Sequence, residues 1–231
     1  MARVVGIDVR IHITFLLLPL WFGYQGWLSG GAVGALQGAA FILALFFCVL
    51  LHEFGHALAG RRFGIRTRDI TLLPIGGVAR MENIPEKPSQ ELVIAVAGPA
   101  VNVAIGSLLA VVLALTGGMM SGPETEWRLA LHELLFVNFG LVVFNMIPAF
   151  PMDGGRVLRA LLAMGFGHLR ATLIAARTGQ GIAVLFAVGG FFGNPMLVLI
   201  AMFVFSGAQQ ELKYARQREA YEAMRREAAK T

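Results

Sequence analysis

The chain has 231 residues, of which 57% are hydrophobic and 14% are charged, and its mean hydropathy is +0.70. Soluble domains carry about 25% charged residues, so these values exclude a soluble globular protein and predict an integral membrane protein with several spans. The net charge of +5 lies beside hydrophobic segments, which indicates membrane topology and not nucleic-acid binding. The single cysteine, Cys48, excludes an internal disulfide.

The first predicted elements are a short strand and an apolar span. Residues 7–14 alternate between apolar and polar side chains, a period of two that is typical of a strand. His12 lies on the polar face of this strand, where we interpret it as structural and not as a metal ligand. The first span runs from about Ile13 to Leu28.

The second predicted span, from about Gly38 to Gly60, carries the motif His-Glu-Phe-Gly-His at residues 52–56. Histidines four residues apart share one helix face and can bind a single Zn²⁺, and Glu53 between them can accept a proton from a water molecule. The preceding residues 39–51 contain no polar side chain, and polar groups on such a helix are costly unless they serve a function. The sequence therefore predicts a metal site inside the membrane, about 12 Å from one end of the span.

Residues 65–81 are too short and too interrupted to cross a membrane as a helix. Their β-branched residues, Pro74 and the pair Gly76-Gly77 predict a hairpin or a bent strand. An open strand edge can enter the membrane interface only where protein or substrate covers it. Such an edge can also accept an extended peptide as an additional strand.

Two polar residues of the spans have competing interpretations. Cys48, one turn before His52, either contributes to the metal site or is a small packing residue, and we favour packing. Asn102 lies in a third span, from about Leu92 to Leu115. It either forms an interhelical hydrogen bond or acts in catalysis, and we slightly favour the hydrogen bond.

A polar loop at residues 117–126 precedes a fourth span, from about Trp127 to Ile147. His132 and Glu133 begin a zinc-like motif there, but Phe136 stands where the second histidine must be. We therefore interpret this motif as unrelated to metal binding.

The segment after the fourth span carries a candidate third ligand. Pro148 and Pro151 break the helix, and Asp153 then precedes two glycines and a helix through about Ala163. Asp153 can be the N-cap of that helix or a zinc ligand, since a catalytic zinc site needs three protein ligands and one open position, and the two roles can coexist.

The last two apolar stretches, about Thr178–Phe192 and Pro195–Phe205, complete six spans. The composition then changes, which predicts a catalytic core at residues 1–208 and a charged, amphipathic helical tail at 209–231, either near anionic lipid or in solvent. Six spans place both termini on one side. The basic residues gather on that side and the other holds only Arg128, so we expect the termini and the nearby metal site to face the cytoplasm.

These motifs together resemble the site-2 protease family of intramembrane zinc metalloproteases, peptidase family M50. The matching stretches are the histidine pair at 52–56, Leu73–Ala79, Ala97-Gly98-Pro99, and Asn145 followed by Asp153-Gly154-Gly155. The resemblance covers nearly the whole chain. It implies an all-α polytopic membrane protein of about six transmembrane helices, with a small membrane-associated β-sheet or hairpin near the active site.

The resemblance also implies roles for single residues. His52, His56 and Asp153 would bind one Zn²⁺, Glu53 would be the general base, and Asn145 would hold the substrate carbonyl or the oxyanion. The implied activity is that of a zinc metalloendopeptidase in the cell membrane that cleaves single-span membrane proteins within or near their transmembrane segments. We expect contact with the lipid bilayer, no nucleic-acid partner and no PDZ or CBS domain, and a homodimer stays open.

Two other classes of protein compete with this interpretation. A membrane metal transporter would also bury histidines and carboxylates, but it should show polar residues along several spans, and the last two spans have almost none. A catalytically silent relative that only binds transmembrane helices would not need the complete set of chemical residues.

Overall fold

The computed structural model describes residues 2–82, 85, 87–116 and 126–228. The described residues form the strands β1 (Ala2–Val4), β2 (Ile7–Ile11), β3 (Thr67–Leu73) and β4 (Gly76–Met81), and the helices α1 (Leu17–Arg62), α2 (Pro88–Leu115), α3 (Glu126–Asn145), α4 (Asp153–Phe166), α5 (His168–Phe192) and α6 (Met196–Ala228). A 3₁₀ turn at Ile13–Leu16 precedes α1. The chain divides into two compact units, one of Met1–Pro85 with Ala97–Val143 and one of Glu86–Val96 with Phe144–Thr231.

The first unit contains a four-stranded sheet in the order β1-β2-β3-β4. β2 and β3 pair in parallel, with Asp8 opposite Asp69, and β3 and β4 form the antiparallel hairpin that Pro74 and the glycine pair predict. The alternation of β2 is confirmed, because Ile7 and Val9 are buried against α1. His12 accepts a hydrogen bond from the amide of Thr14 and caps the following turn, which is a structural role.

The long helix α1 is a hairpin of two helices. Its backbone leaves the helical region at Gly30 and Gly31, and Gly31 has φ +60, a conformation that glycine adopts without strain. The arms 17–29 and 32–62 then lie against each other so closely that a Cβ on Gly26 would lie 2.6 Å from the backbone carbonyl carbon of Gly34. Small residues let two helix backbones approach in this way.

The sheet places the two ends of this hairpin on the same side. β2 precedes α1, β3 follows it, and the two strands are hydrogen-bonded neighbours, so both ends of α1 lie on the same side. The described residues contain five candidate membrane spans, and the first of them, Ile13–Arg62, has 50 residues. A straight helix of that length would measure about 75 Å, more than twice the hydrocarbon core. Counted as two crossings, it gives the six spans that the sequence predicts.

The second unit packs α4, α5 and α6 around the segment that precedes α4. Ala149 and Met152 lie in one apolar cluster with residues of α5 and α6. Phe150 packs against Ala175, Ala176 and Ala208 in a second cluster. These small alanines let the helices close around the proline-broken segment.

Three charged side chains are joined inside this unit. Arg159 donates through Nε to Glu91 Oε1 at 2.8 Å and through Nη1 to Glu211 Oε2 at 2.5 Å, and its guanidinium lies 4.9 Å from the ring centroid of Phe150. Burial by itself lowers the pKa of Arg159, but the carboxylates of Glu91 and Glu211 outweigh it, so the pKa lies above its ordinary value. Arg159 is therefore a permanent cation that ties α4 to α2 and α6.

Several predicted boundaries differ from the structure. α5 begins at His168, ten residues before the predicted start at Thr178, and α6 continues without interruption from Met196 to Ala228. The division of the chain at residue 208 stays a prediction, although the predicted tail is helical through Ala228. Residues 117–125 of the loop predicted at 117–126 lie outside the described residues, and Glu126 is the first residue of α3.

Candidate metal centre

The two histidines of α1 point their outer nitrogens at each other. His52 and His56 are only 5% and 3% exposed, their Nε2 atoms are 3.1 Å apart, and the rings meet edge to face. The i, i+4 spacing puts both rings on one helix face, as the sequence predicts. Two Nε2 atoms that converge on one point are an arrangement that suits a shared cation.

Gly98 of α2 keeps the space in front of these nitrogens open. A Cβ on Gly98 would lie 2.6 Å from Nε2 of His52 and closer still to Nε2 of His56. On α1, a Cβ on Gly55 would lie 2.7 Å from the carbonyl oxygen of Ala97 on α2. Each of the two helices therefore contributes a glycine to their close approach. Only glycine at position 98 lets both imidazole nitrogens lie against α2, and two converging nitrogens are ligands that Zn²⁺ accepts.

A buried network of hydrogen bonds contacts His52 at Nδ1, the ring nitrogen that does not face His56. Nδ1 of His52 lies 2.5 Å from Oδ1 of Asn102, and Asn102 donates through Nδ2 to Asn138 Oδ1 at 2.9 Å. The interhelical hydrogen bond predicted for Asn102 is therefore present, between α2 and α3. Cys48 accepts a weak hydrogen bond from Asn138 at 3.5 Å and is buried, in agreement with its interpretation as a packing residue.

Glu53 lies beside the last strand of the sheet. A Cβ on Gly77 of β4 would lie 2.6 Å from Cγ and 3.2 Å from Oε1 of Glu53, so only glycine allows this contact. β4 is the end strand of the sheet, and its outer edge has no strand partner among the described residues. The end strand of the sheet thus runs directly past the carboxylate of Glu53.

Asn145 and Asp153 lie at the two ends of the proline-broken segment. Asn145 is the last residue of α3 and is half-buried, and Asp153 is the first residue of α4 and is 7% exposed. The N-cap position of α4 belongs to Met152, so the interpretation of Asp153 as the N-cap is wrong. Its Oδ1 lies 4.0 Å from Nη1 of Arg156.

Close packing explains why glycines follow Asp153. A Cβ on Gly154 would lie 2.5 Å from the backbone of Met146, and a Cβ on Gly155 would lie 2.7 Å from the backbone of Ala149. The first turn of α4 therefore rests directly on the broken segment, which fixes the position of Asp153 within its unit.

The other zinc-like motif has no such surroundings. His132 and Glu133 lie in the first turns of α3 and line an apolar groove with Phe41 and Phe136. Among the described residues, the candidate metal-ligand groups include neither of them. The interpretation of this motif as unrelated to metal binding is retained.

Comparison with known proteins identifies the family. The model of peptidase family M50 matches residues 40–132 and 118–188. The solved site-2 protease from Methanocaldococcus jannaschii is similar to this chain, with a TM-score of 0.66 and 38% identity, and the match covers 92% of this chain and 94% of that one. The chain belongs to peptidase family M50. The predicted fold class of this M50 chain, all-α and polytopic with a small sheet, is confirmed.

Curated relatives of the M50 chain carry related names. A zinc metalloprotease of Methanocaldococcus jannaschii is 38% identical over 90% of this chain and 59% of its own length. A putative zinc metalloprotease of Synechocystis is 34% identical over 94% of this chain, and the putative zinc metalloprotease Rip3 of Mycobacterium tuberculosis is 32% identical over 91%. This chain spans about three fifths of the length of these relatives.

Sequence reasoning missed three residues that shape the site of this M50 chain. Asn138 was detectable in principle, because it is a polar side chain inside an apolar span, as Asn102 is. Gly98 and Gly77 belong to motifs that match the family, but the sequence does not show why glycine is needed there. Each lies where two elements approach closely, and no local pattern reveals such a contact.

Proposed function

We propose that this M50 chain is an intramembrane zinc metalloendopeptidase that hydrolyses peptide bonds within or near the transmembrane segments of single-span membrane proteins. The observation that carries the proposal is the convergence of two buried Nε2 atoms on a gap that Gly98 keeps open, within a membrane-spanning helix. A purely structural histidine pair would not need both Nε2 atoms to converge at a glycine of the neighbouring helix.

His52, His56 and Asp153 are the proposed ligands of one Zn²⁺. All three are buried, and each offers one ligand atom, a ring nitrogen or a carboxylate oxygen. Three protein ligands would let a bound zinc ion also take a water molecule, as catalytic zinc sites require. When bound, the ion supplies a Lewis acid that lowers the pKa of water to about 7 and polarises a carbonyl.

Glu53 is the proposed general base and Asn145 the proposed oxyanion donor. The Glu53 carboxylate lies on the same helix as the histidine pair, one residue after the first histidine, and accepts a proton from water before it delivers one to the leaving amine. The amide of Asn145 donates a hydrogen bond to the oxygen on which negative charge develops.

The free edge of β4 is the proposed binding place for the substrate backbone. A transmembrane helix has its amides in internal hydrogen bonds, so it must unwind before a protease can attack it. An unwound segment can pair with a sheet edge as an additional strand. Because Gly77 brings this edge against Glu53, a paired peptide would present its backbone to the proposed base.

The proposed location is the cell membrane, with both termini and the opening of the active site toward the cytoplasm. Six crossings return the chain to the side where it began, and the basic residues at both ends favour the cytoplasmic side. The proposed partners are therefore single-span substrates and the surrounding lipid.

Purified protein and tagged single-span membrane proteins test this function directly. We expect cleavage within or beside the transmembrane segment, located by mass spectrometry, with loss of cleavage on addition of a zinc chelator and recovery on addition of Zn²⁺. A protein that binds Zn²⁺ and the substrate segment without cleaving it would be a silent relative. Zn²⁺ uptake into sealed vesicles in place of cleavage would identify a transporter.

A further inference from the structure

A line of hydrogen bonds leads from the backbone of α3 to His52. Asn138 donates through Nδ2 to the carbonyl oxygen of Leu134 at 2.8 Å. Asn102 donates to Asn138 at 2.9 Å, and the Asn102 oxygen lies 2.5 Å from Nδ1 of His52. Asn102 is 1% exposed and Asn138 is 0% exposed, so water does not compete for these bonds.

The direction of every bond in this line follows from its first acceptor. A backbone carbonyl can only accept, so the amide nitrogen of Asn138 faces Leu134 and its oxygen faces Asn102. That oxygen also only accepts, so Asn102 turns its nitrogen toward Asn138 and its oxygen toward His52. An amide oxygen needs a donor, and Nδ1 of His52 must therefore carry the ring proton.

We propose that Asn102 and Asn138 are positioning residues, which hold His52 in the tautomer and ring orientation whose Nε2 binds the metal. A neutral imidazole protonated at Nδ1 has its lone pair on Nε2, and Nε2 is the atom that faces His56 and the gap at Gly98. A partner on the second ring nitrogen is the usual way in which proteins orient a metal-binding histidine. This inference rests on the proposed function, because it takes His52 as a zinc ligand.

The position of both asparagines in apolar spans supports more than a packing role. Helices that only pack in lipid use small residues, and α1 and α2 already approach through Gly55. Two amides with no water around them are costly in lipid unless each finds its partners. In this chain the last hydrogen-bond partner of the two amides is Nδ1 of His52, a residue of the proposed zinc site.

The order of zinc affinities among variants of Asn102 and Asn138 separates a positioning role from a packing role. We expect Asn102→Leu to weaken zinc binding by about 10- to 100-fold. Asn102→Asp should stay within a few-fold of wild type, because a carboxylate still accepts from Nδ1 of His52. Asn138→Leu should fall between them, since it leaves Asn102 free to turn its amide. A packing role gives the opposite order, because leucine suits an apolar span and aspartate does not.

Zinc affinity is measured by competition with a chelator of known affinity, on full-length protein whose folding is checked by thermal unfolding without metal. Thr172→Val is the matched control, since Thr172 is a buried polar residue of a span whose hydroxyl donates to the carbonyl of His168 in its own helix. It should leave zinc affinity unchanged. ¹⁵N spectra of histidine-labelled, metal-free protein give a second readout, in which Asn102→Leu should convert His52 from one tautomer to a mixture.

Three results would overturn the inference. They are an Asn102→Leu variant with wild-type zinc affinity, an Asn102→Asp variant that binds zinc more weakly than Asn102→Leu, and a wild-type His52 protonated at Nε2 in the metal-free protein. A wild-type protein that binds no zinc would instead refute the proposed function, and this inference with it. Wild-type zinc binding that is unchanged in Asn102→Leu refutes the positioning role alone.

Discussion

Gly98 faces His52 across a gap that a single methyl group would fill, since a Cβ on Gly98 would lie 2.6 Å from Nε2 of the histidine. The ring is held by Asn102 and the glycine lies on a helix backbone, so neither side has a flexible end that can move away. The packing of α1 against α2 therefore sets the size of this gap.

We expect Gly98→Ala to remove zinc from the protein while the fold is kept. The added methyl group would collide with Nε2 of both histidines and push the rings out of their metal-binding arrangement, so metal content should fall to roughly a tenth of wild type or less. Elemental analysis of the purified protein measures this. Gly106→Ala is the matched control on the same helix, because its Cβ would meet Phe139 at an ordinary 3.5 Å. Equal zinc loss in both variants would contradict the interpretation of the gap.

We expect Glu53→Gln to bind zinc normally and to lose activity. The amide has the shape of the carboxylate but cannot accept the proton from water, which lowers turnover by about 10²- to 10⁴-fold. Cleavage of a single-span substrate and metal content are measured on the same preparation. Glu133→Gln, an exposed glutamate of α3, serves as the control. Turnover that survives in Glu53→Gln would assign the base to another group.

We expect Asp153→Asn to weaken zinc binding. The variant keeps the volume of the side chain but loses the negative charge of a proposed ligand, and an affinity loss of at least about 10-fold should follow. Chelator competition measures the affinity, with Asp8→Asn, which lies on β2, as the control. Unchanged zinc affinity would show that Asp153 is not a zinc ligand and acts only within the second unit.

We expect Gly77→Ala to lower the rate of cleavage without lowering zinc content. A methyl group there pushes β4 away from Glu53, and a shift of about 1 Å in the position of a substrate can cost about 100-fold in rate. Gly60→Ala is the control in the same unit, since its Cβ would have no neighbour closer than 3.7 Å. If the two variants cleave equally well, the edge of β4 does not position the substrate.

We expect Arg159→Met to destabilise the protein by about 3–5 kcal/mol, because it leaves Glu91 buried without its cation. Thermal unfolding in detergent measures the change, with exposed Arg170→Met as the control. The pKa of Arg159 lies above its ordinary value, so the guanidinium keeps its charge at every lower pH and loses it only at strongly alkaline pH. Equal unfolding of the two variants would show that the charged cluster does not stabilise the unit.

The parts of the site that follow from local chemistry were predictable. The histidine pair needs only a spacing of four on a helix, and the hairpin of β3 and β4 needs only Pro74 and its glycines. The break before Asp153 follows from two prolines. Each of these signals is contained within a few residues of sequence.

The remaining features depend on residues far apart in the chain. The parallel pairing of β2 with β3 exists only because α1 turns back between them, and nothing in either strand reveals its partner. Arg159 finds its carboxylates on α2 and α6, which its own helix pattern does not indicate. Outside both predicted spans, α1 is helical at residue 29 and from residue 32 to residue 37, since close glycine contacts stabilise a stretch whose own helix propensity is low.

The turn at Gly30 and Gly31 bears on how the protein enters the bilayer during synthesis. The arm that carries two histidines and a glutamate integrates poorly by itself, because polar side chains raise the free energy of insertion. The arm before the turn has no charged residue, and its backbone touches that of the second arm. We therefore expect the two arms to insert together, so that the apolar first arm offsets the insertion cost of the histidine-bearing arm that follows it.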